Sequence, residues 1–119
     1  MRDMTPEEIE AFLLTGTRTG KLATVRSDGR PHVVPIWFTL RHDHLIFNTH
    51  TSSVKARNMR RDPRVAVTVD DQAPPYSFVA IEGLATLTEA DPDLVDIATL
   101  IGGRYMGTDR AEEYGSRNG

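Results

Sequence analysis

The residues best suited to chemistry lie in one run, Thr49-His50-Thr51-Ser52-Ser53-Val54-Lys55-Ala56-Arg57-Asn58-Met59-Arg60-Arg61-Asp62-Pro63. Hydroxyl side chains just ahead of a helix accept bonds from its first N–H groups, which have no partner inside the helix. The free N–H groups and the positive end of the helix dipole favour an anion, and nearby Lys or Arg strengthens the preference. Lys55, Arg57, Arg60 and Arg61 supply those cations. Pro63 stops the helix, because its ring forces the preceding residue toward extended geometry. The chemistry expected here is capture of a phosphate, and the working expectation is the phosphate-bearing tail of a cofactor.

Other chemistries find less support. The chain has no cysteine, which removes disulfides, thiolate metal sites and a cysteine nucleophile. His32, His42, His44 and His50 include no pair at the i, i+4 helical spacing of a zinc motif, so they read as turn and strand-end residues and no metal is expected. Ser77 and the Ser52-Ser53 pair lack a recognisable partnered base, and the carboxylates fall in caps and turns. No catalytic acid or base is assigned. That pattern suits an enzyme whose cofactor holds the reactive atom while the protein orients it.

The surrounding elements must position the Thr49–Pro63 run. Thr5-Pro6-Glu7-Glu8 opens a helix with a capping box and a proline at the first helical position. Ile9, Phe12 and Leu13 give that helix one apolar stripe, and Gly16 ends it. Gly20–Arg26 and Pro31–Leu40 are β-rich runs joined through Asp28-Gly29, a short-range hairpin signal. Arg41-His42-Asp43-His44 is a second turn, leading into Leu45–Asn48, so a three-stranded meander is expected. Pro35 cannot donate to a ladder, which predicts an edge or a bulge there. Strands resume at Arg64–Asp70 and, past the rigid Pro74-Pro75 loop, at Tyr76–Thr88, where Gly83 predicts a bulge or a close backbone approach. Asp91-Pro92 caps a helix that carries Leu94, Val95, Ile97, Ala98 and Ile101 and is expected to stop at Gly102-Gly103. Asp109 with Glu112 marks a short polar helix beyond it.

Composition sets the outer bounds. A chain of 119 residues, 39% apolar and 26% charged, suits one domain spanning 1–119 with a modest core. A net charge of −3 argues against broad binding to nucleic acid. No apolar run approaches the roughly 20 residues of a membrane span, so no membrane partner is expected and the cytoplasm is the default location. The element pattern predicts an α+β domain built on a small antiparallel barrel.

Four pieces of the sequence, taken in order, carry a family resemblance. They are Gly20–Pro35, Lys55–Ala66 (Lys-Ala-Arg-Asn-Met-Arg-Arg-Asp-Pro-Arg-Val-Ala), Val79-Ala80-Ile81-Glu82-Gly83 and Arg104-Tyr105-Met106-Gly107. Together they resemble the pyridoxamine-phosphate-oxidase-like superfamily of flavin-binding split barrels, over nearly the whole chain, and its actinobacterial branch of deazaflavin (F420)-dependent reductases most of all. The resemblance implies a six-stranded split barrel with peripheral helices, working as a homodimer with cofactor bound between subunits. In that family a final strand usually follows the segment matching Arg117-Asn118-Gly119. This sequence stops there, which implies either truncation or a missing last strand and an open barrel edge.

The same resemblance matches the family's phosphate-binding turn to Thr51-Ser52-Ser53-Val54-Lys55 and its helix asparagine to Asn58. Lys55 is then the leading cofactor ligand, a point charge on a phosphate. Arg57 and Arg60 are further candidates, although they lie on other faces of a helix turning about 100° per residue. Thr24, Pro35, Trp37, Asn48 and Thr49 would lie near the cofactor ring, by position on the matching strands. The expected activity is hydride transfer from reduced F420 to a small conjugated or heterocyclic acceptor. F420 is preferred over FMN because the resemblance is to that branch. Its longer anionic tail would also use several cations along one helix, but both cofactors present a phosphate to the same turn, so the residues alone do not separate them. The alternatives are an FMN-dependent oxidase or reductase, a haem-degrading relative, and a non-catalytic carrier of flavin or F420. No marker for a pyridoxal phosphate substrate is present.

Overall fold

The computed structural model describes residues 4–41, 44–88 and 94–106, apart from the side chains of Leu94 and Val95. Helix α1 spans Pro6–Leu14 and starts as its sequence requires: the Glu8 amide donates to Thr5 Oγ1 (3.2 Å) and the Thr5 amide to Glu8 Oε1 (3.0 Å). Strands β1 (Gly20–Val25) and β2 (Pro31–Ile36) form a hairpin closed by Arg26 and Arg30, with the Gly29 amide donating to Arg26 O. Gly29 sits at φ +88°, the left-handed conformation that this turn demands and that only glycine adopts without strain.

Strands β5 (Arg64–Asp71) and β6 (Ser77–Leu84) complete a four-stranded antiparallel sheet in the order β2-β1-β5-β6. Between the two hairpins, β3 (Thr39–Arg41) and β4 (His44–Ile46) form a separate two-stranded sheet, followed by α2 (Val54–Arg61). Helix α3 covers Leu94–Met106. The fold is α+β and mainly antiparallel, as expected, but the described strands do not close into a barrel. Pro35 lies on edge strand β2, paired in register with Lys21, which is the position its missing N–H allows.

Several expectations need correction. The run Pro31–Leu40 is not one strand: it breaks at Trp37-Phe38, so the three-stranded meander becomes two hairpins in two sheets. The reason lies in the backbone of Phe38. Its N–H donates to Tyr105 Oη (3.4 Å) and its carbonyl accepts from Arg104 Nη1 (2.8 Å), so these groups bond to α3 in place of a ladder. Gly83 marks no bulge, because β5 and β6 pair without interruption from Arg64↔Leu84 to Asp71↔Ser77, and no atom lies within 4 Å of where its Cβ would be. The last strand is also shorter than Tyr76–Thr88. Gly102-Gly103 does not end α3, which runs on to Met106. Two helical glycines cost only about 1 kcal/mol each relative to alanine, and the bonds made by Arg104 and Tyr105 outweigh that. Asp91-Pro92, Asp109, Glu112 and the His42-Asp43 turn lie outside the described residues.

The core lies on one face of the large sheet. Leu22, Ile36, Val67 and Val69 point there, joined by Leu13 of α1, Met59 of α2 and the wholly buried Phe38. Gly20 is needed in this layer, since a Cβ would come within 3.1 Å of Val67 and 3.2 Å of Ile36. Ile97, Ala98 and Ile101 bring α3 into the interior. Burying each large side chain here contributes about 1.5–3 kcal/mol, and the same packing fixes α2 against β1.

Candidate functional site

The start of α2 is a finished cap. Ser53 is the N-cap, its Oγ accepting from the Ala56 amide (3.1 Å) and sharing a hydrogen bond with Thr49 Oγ1 (2.9 Å). The Ser53 amide donates to His50 O and the Arg57 amide to Ser53 O. Arg60 reaches back to Thr51 O (2.6 Å) and holds the turn from outside. The N–H groups of Val54 and Lys55 are left without an acceptor among the described residues. Two free amides and the exposed residues Thr51 and Ser52 therefore lie together at the positive end of α2.

The four cations of the run separate into distinct roles. Lys55 is half-buried and projects from the face of α2 that also carries Asn58 and Met59. Arg57 and Arg60 are exposed, about 160° and 140° from Lys55 around a helix of 3.6 residues per turn. Arg61 donates to Val25 O and, at 3.3 Å, to Asn58 Oδ1. Lys55 and Arg57 have no ion-pair partner among the described residues, whereas Arg60 and Arg61 are tied to carbonyls of the protein itself.

Asn58 and Thr24 meet in the interior. Asn58 is 4% exposed and donates from Nδ2 to Oγ1 of Thr24, itself 2% exposed, across 3.0 Å. Thr24 pairs across the hairpin with His32, so His32 shares the sheet face that α2 covers. His32 Nδ1 and Asn48 Nδ2 are buried with no hydrogen-bond partner in the structure. Buried polar atoms are normally satisfied. Two such orphans, one on the sheet face beneath α2 and one immediately before Thr49, fit a ligand that supplies polar groups there.

The structure thus brings Thr49, Thr51, Ser52, Ser53, Lys55, Asn58 and Thr24 into one region and keeps others apart. Pro35 is exposed on the sheet face opposite Thr24. Trp37 stacks on Tyr105 of α3, with ring centroids 5.0 Å apart and planes 5° from parallel. Among the described residues, two open clefts of about 370 and 510 Å³ lie beside Lys21–Asp70 and beside α1, and neither is lined by residues of the α2 turn. No three His, Asp or Glu side chains among the described residues group as a metal site, and no described helix is long and apolar enough to cross a membrane.

A second polar cluster was not anticipated from the sequence. Arg104 donates to the carbonyls of Gly16 (3.0 Å), Phe38 and Leu13, with its guanidinium over the Phe38 ring at 4.5 Å. Tyr105 Oη donates to Arg18 O (2.7 Å). Burial raises the Tyr105 phenol above its ordinary pKa, which keeps that proton in place, and burial also lowers the Arg104 guanidinium, with Arg18 adding to the effect. The Arg104-Tyr105 pair was visible in the sequence as part of the family pattern. Its task was hidden because the two glycines before it read as a helix stop.

A family model described as pyridoxamine 5'-phosphate oxidase matches residues 5–118. The conserved hypothetical protein Rv2991 from Mycobacterium tuberculosis is 32% identical, with a TM-score of 0.84, over 97% of this chain and 74% of that one. A protein described as an F420 reductase is 35% identical, TM-score 0.69, over 82% of this chain and 76% of its own. An FAD-binding protein from Mesorhizobium loti is 28% identical, TM-score 0.63, over 80% and 70%.

Proposed function

The chain belongs to the pyridoxamine 5'-phosphate oxidase family, and from that premise we propose that it is an F420-dependent oxidoreductase acting on a small conjugated or heterocyclic acceptor. The observation that carries the reading is the α2 start, with two acceptor-free amides beside the half-buried Lys55. The 35% identity to a described F420 reductase supports the choice of cofactor. Bound F420 would supply the hydride. The protein's part is to hold the phosphate on the amides of Val54 and Lys55, the Lys55 ammonium and the hydroxyls of Thr51 and Ser52. Ser53 and Thr49 shape the turn instead, since their hydroxyls already bond to each other and to the helix. His32 and Asn48 join the candidates for polar contact with the rest of the cofactor.

A homodimer is part of this proposal. The large sheet's second face is open: Val33, Phe78 and Leu84 are 62, 57 and 74% exposed on its two edge strands, with Ala23, Ala66 and Ala80 on the same face. Covering such a face would bury apolar area at about 25 cal/mol per Å², which is the physical reason to propose a second subunit there. A cytoplasmic location goes with the same reading.

One observation favours FMN as a second reading. Arg60 and Arg61 are tied to Thr51 O and Val25 O, so fewer cations remain for a long anionic tail than the sequence offered. Parallel titration with F420 and FMN, followed by Trp37 and cofactor fluorescence, separates the two. We expect F420 to bind at least about tenfold more tightly, and Lys55→Ala to weaken it by ~1.5–3 kcal/mol, the scale of a charged hydrogen bond. Tighter FMN binding would transfer the protein to the second reading. Equal affinity of wild type and Lys55→Ala would overturn the phosphate assignment for both.

A further inference from the structure

We infer that Asn58 and Thr24 touch no cofactor and are positioning residues, forming a buried peg that sets the aim of the anion-binding end of α2. The inference rests on the reading of that helix start as a phosphate site. Three observations carry it. Both side chains are more than nine-tenths buried, and their only described bonds run to each other and to Arg61. Asn58 Nδ2 spans from helix to strand onto Thr24 Oγ1, while its Oδ1 accepts from Arg61, whose guanidinium also reaches Val25 O at the end of the same strand. Helix and strand are thereby joined at adjacent residues, Thr24 and Val25, by one connected set of bonds.

The consequence is geometric. Asn58 lies one turn after Val54 and Lys55, so fixing its azimuth on β1 fixes the direction of their amides and of the Lys55 stem. Met59 and Ala56 bury beside it and supply adhesion, but apolar contact alone is not directional. A hydrogen bond between two buried side chains permits only a narrow range of helix rotation. A phosphate needs amides aimed within a few tenths of an ångström, which a loosely docked helix of only eight residues cannot provide.

Valine is nearly isosteric with threonine and lacks only the hydroxyl, which makes Thr24 the site to test. F420 and FMN affinities would be measured by isothermal titration for wild type, Thr24→Val, Thr24→Ser, Asn58→Leu and the Thr24→Val/Asn58→Leu pair. All titrations would run well below each variant's own unfolding midpoint. We expect Thr24→Val to lose affinity roughly tenfold, the effect of one lost hydrogen bond passed to the site, and Thr24→Ser to restore it. The double variant should lose little more than either single change, because the two side chains act as one unit.

A purely structural peg would lower unfolding midpoints and leave the affinity of the folded protein unchanged, which would overturn the inference. Additive losses, or no rescue by serine, would do the same. Should Asn58→Leu fail to fold, the valine and serine variants still decide. If Lys55→Ala also binds like wild type, the phosphate reading has failed. If Lys55→Ala weakens binding and Thr24→Val does not, only the peg has failed.

Discussion

Two helices of this protein carry arginines at their working ends, and they use them in opposite ways. On α3, Arg104 gives its guanidinium to carbonyls of Leu13, Gly16 and Phe38, binding three chain segments at once. Leu13 and Gly16 lie at the end of α1, whose last turn has no basic residue of its own, so Arg104, together with Arg18 donating to Phe12 O, supplies cations from outside that helix. On α2, Arg60 and Arg61 are occupied in the same manner, but Lys55 and Arg57 are not. A cation bonded to the protein's own carbonyls is a strut. One left without a partner beside free amides is a candidate ligand, and the sequence alone does not show which is which.

That contrast predicts where stability and binding separate. The largest effect belongs to the strut. Phe38 is wholly buried beneath the Arg104 guanidinium, so Phe38→Ala should cost about 3–5 kcal/mol in chemical denaturation. Arg104→Ala should follow at about 2–3 kcal/mol, because three carbonyls lose a charged donor. Arg104→Lys should recover little of it, since a single ammonium cannot reproduce the guanidinium fork. Near-wild-type denaturation midpoints in these variants would mean α3 is not docked as described. Lys55→Ala should behave the other way, losing cofactor affinity while the unfolding midpoint of the ligand-free protein stays put. A matching loss of stability there would erase the distinction between strut and ligand.

Local rules carried much of the fold. The Thr5–Glu8 box, the glycine at the first hairpin and the Ser53 cap each depend on residues within a few positions of one another, and each formed. The failures came from partners far apart in the chain. Residues 31–40 read as one β-rich run, and bonds from Arg104 and Tyr105, more than sixty residues away, hold the backbone of Phe38 out of the ladder. Gly102-Gly103 read as a stop for the same reason, as their helix is held by contacts no local window contains.

The candidate site was legible in part. The hydroxyl turn and its cluster of cations follow from residue types and spacing, the family resemblance singles out Lys55, and a turn of about 100° per residue sets Arg57 and Arg60 apart from it. The bond between Asn58 and Thr24 joins residues 34 positions apart. The unpartnered nitrogens of His32 and Asn48 depend on what surrounds them. Neither could be read from residue type.

The smallest predicted effect lies at the far end of α2, where Asp62 is the C-cap and pairs with Arg64 at 2.7 Å. Its carboxylate accepts from the Arg64 guanidinium and amide, which lowers its pKa to about 2 from the ordinary 3.8. A depressed carboxylate pKa means the folded state prefers the charged form. The pair therefore stabilises the fold above about pH 4, and that contribution is lost as pH falls toward the folded-state value. Arg64 is open to solvent and salt screens such pairs, so the effect should be slight. Thermal unfolding of wild type and Asp62→Asn across that pH range would test it. The two midpoints should differ at neutral pH, converge in acid, and lie closer together in high salt. A gap that ignored both pH and salt would assign Asp62 a capping role without charge, and would remove this pair from the set of cations tied down by the protein itself.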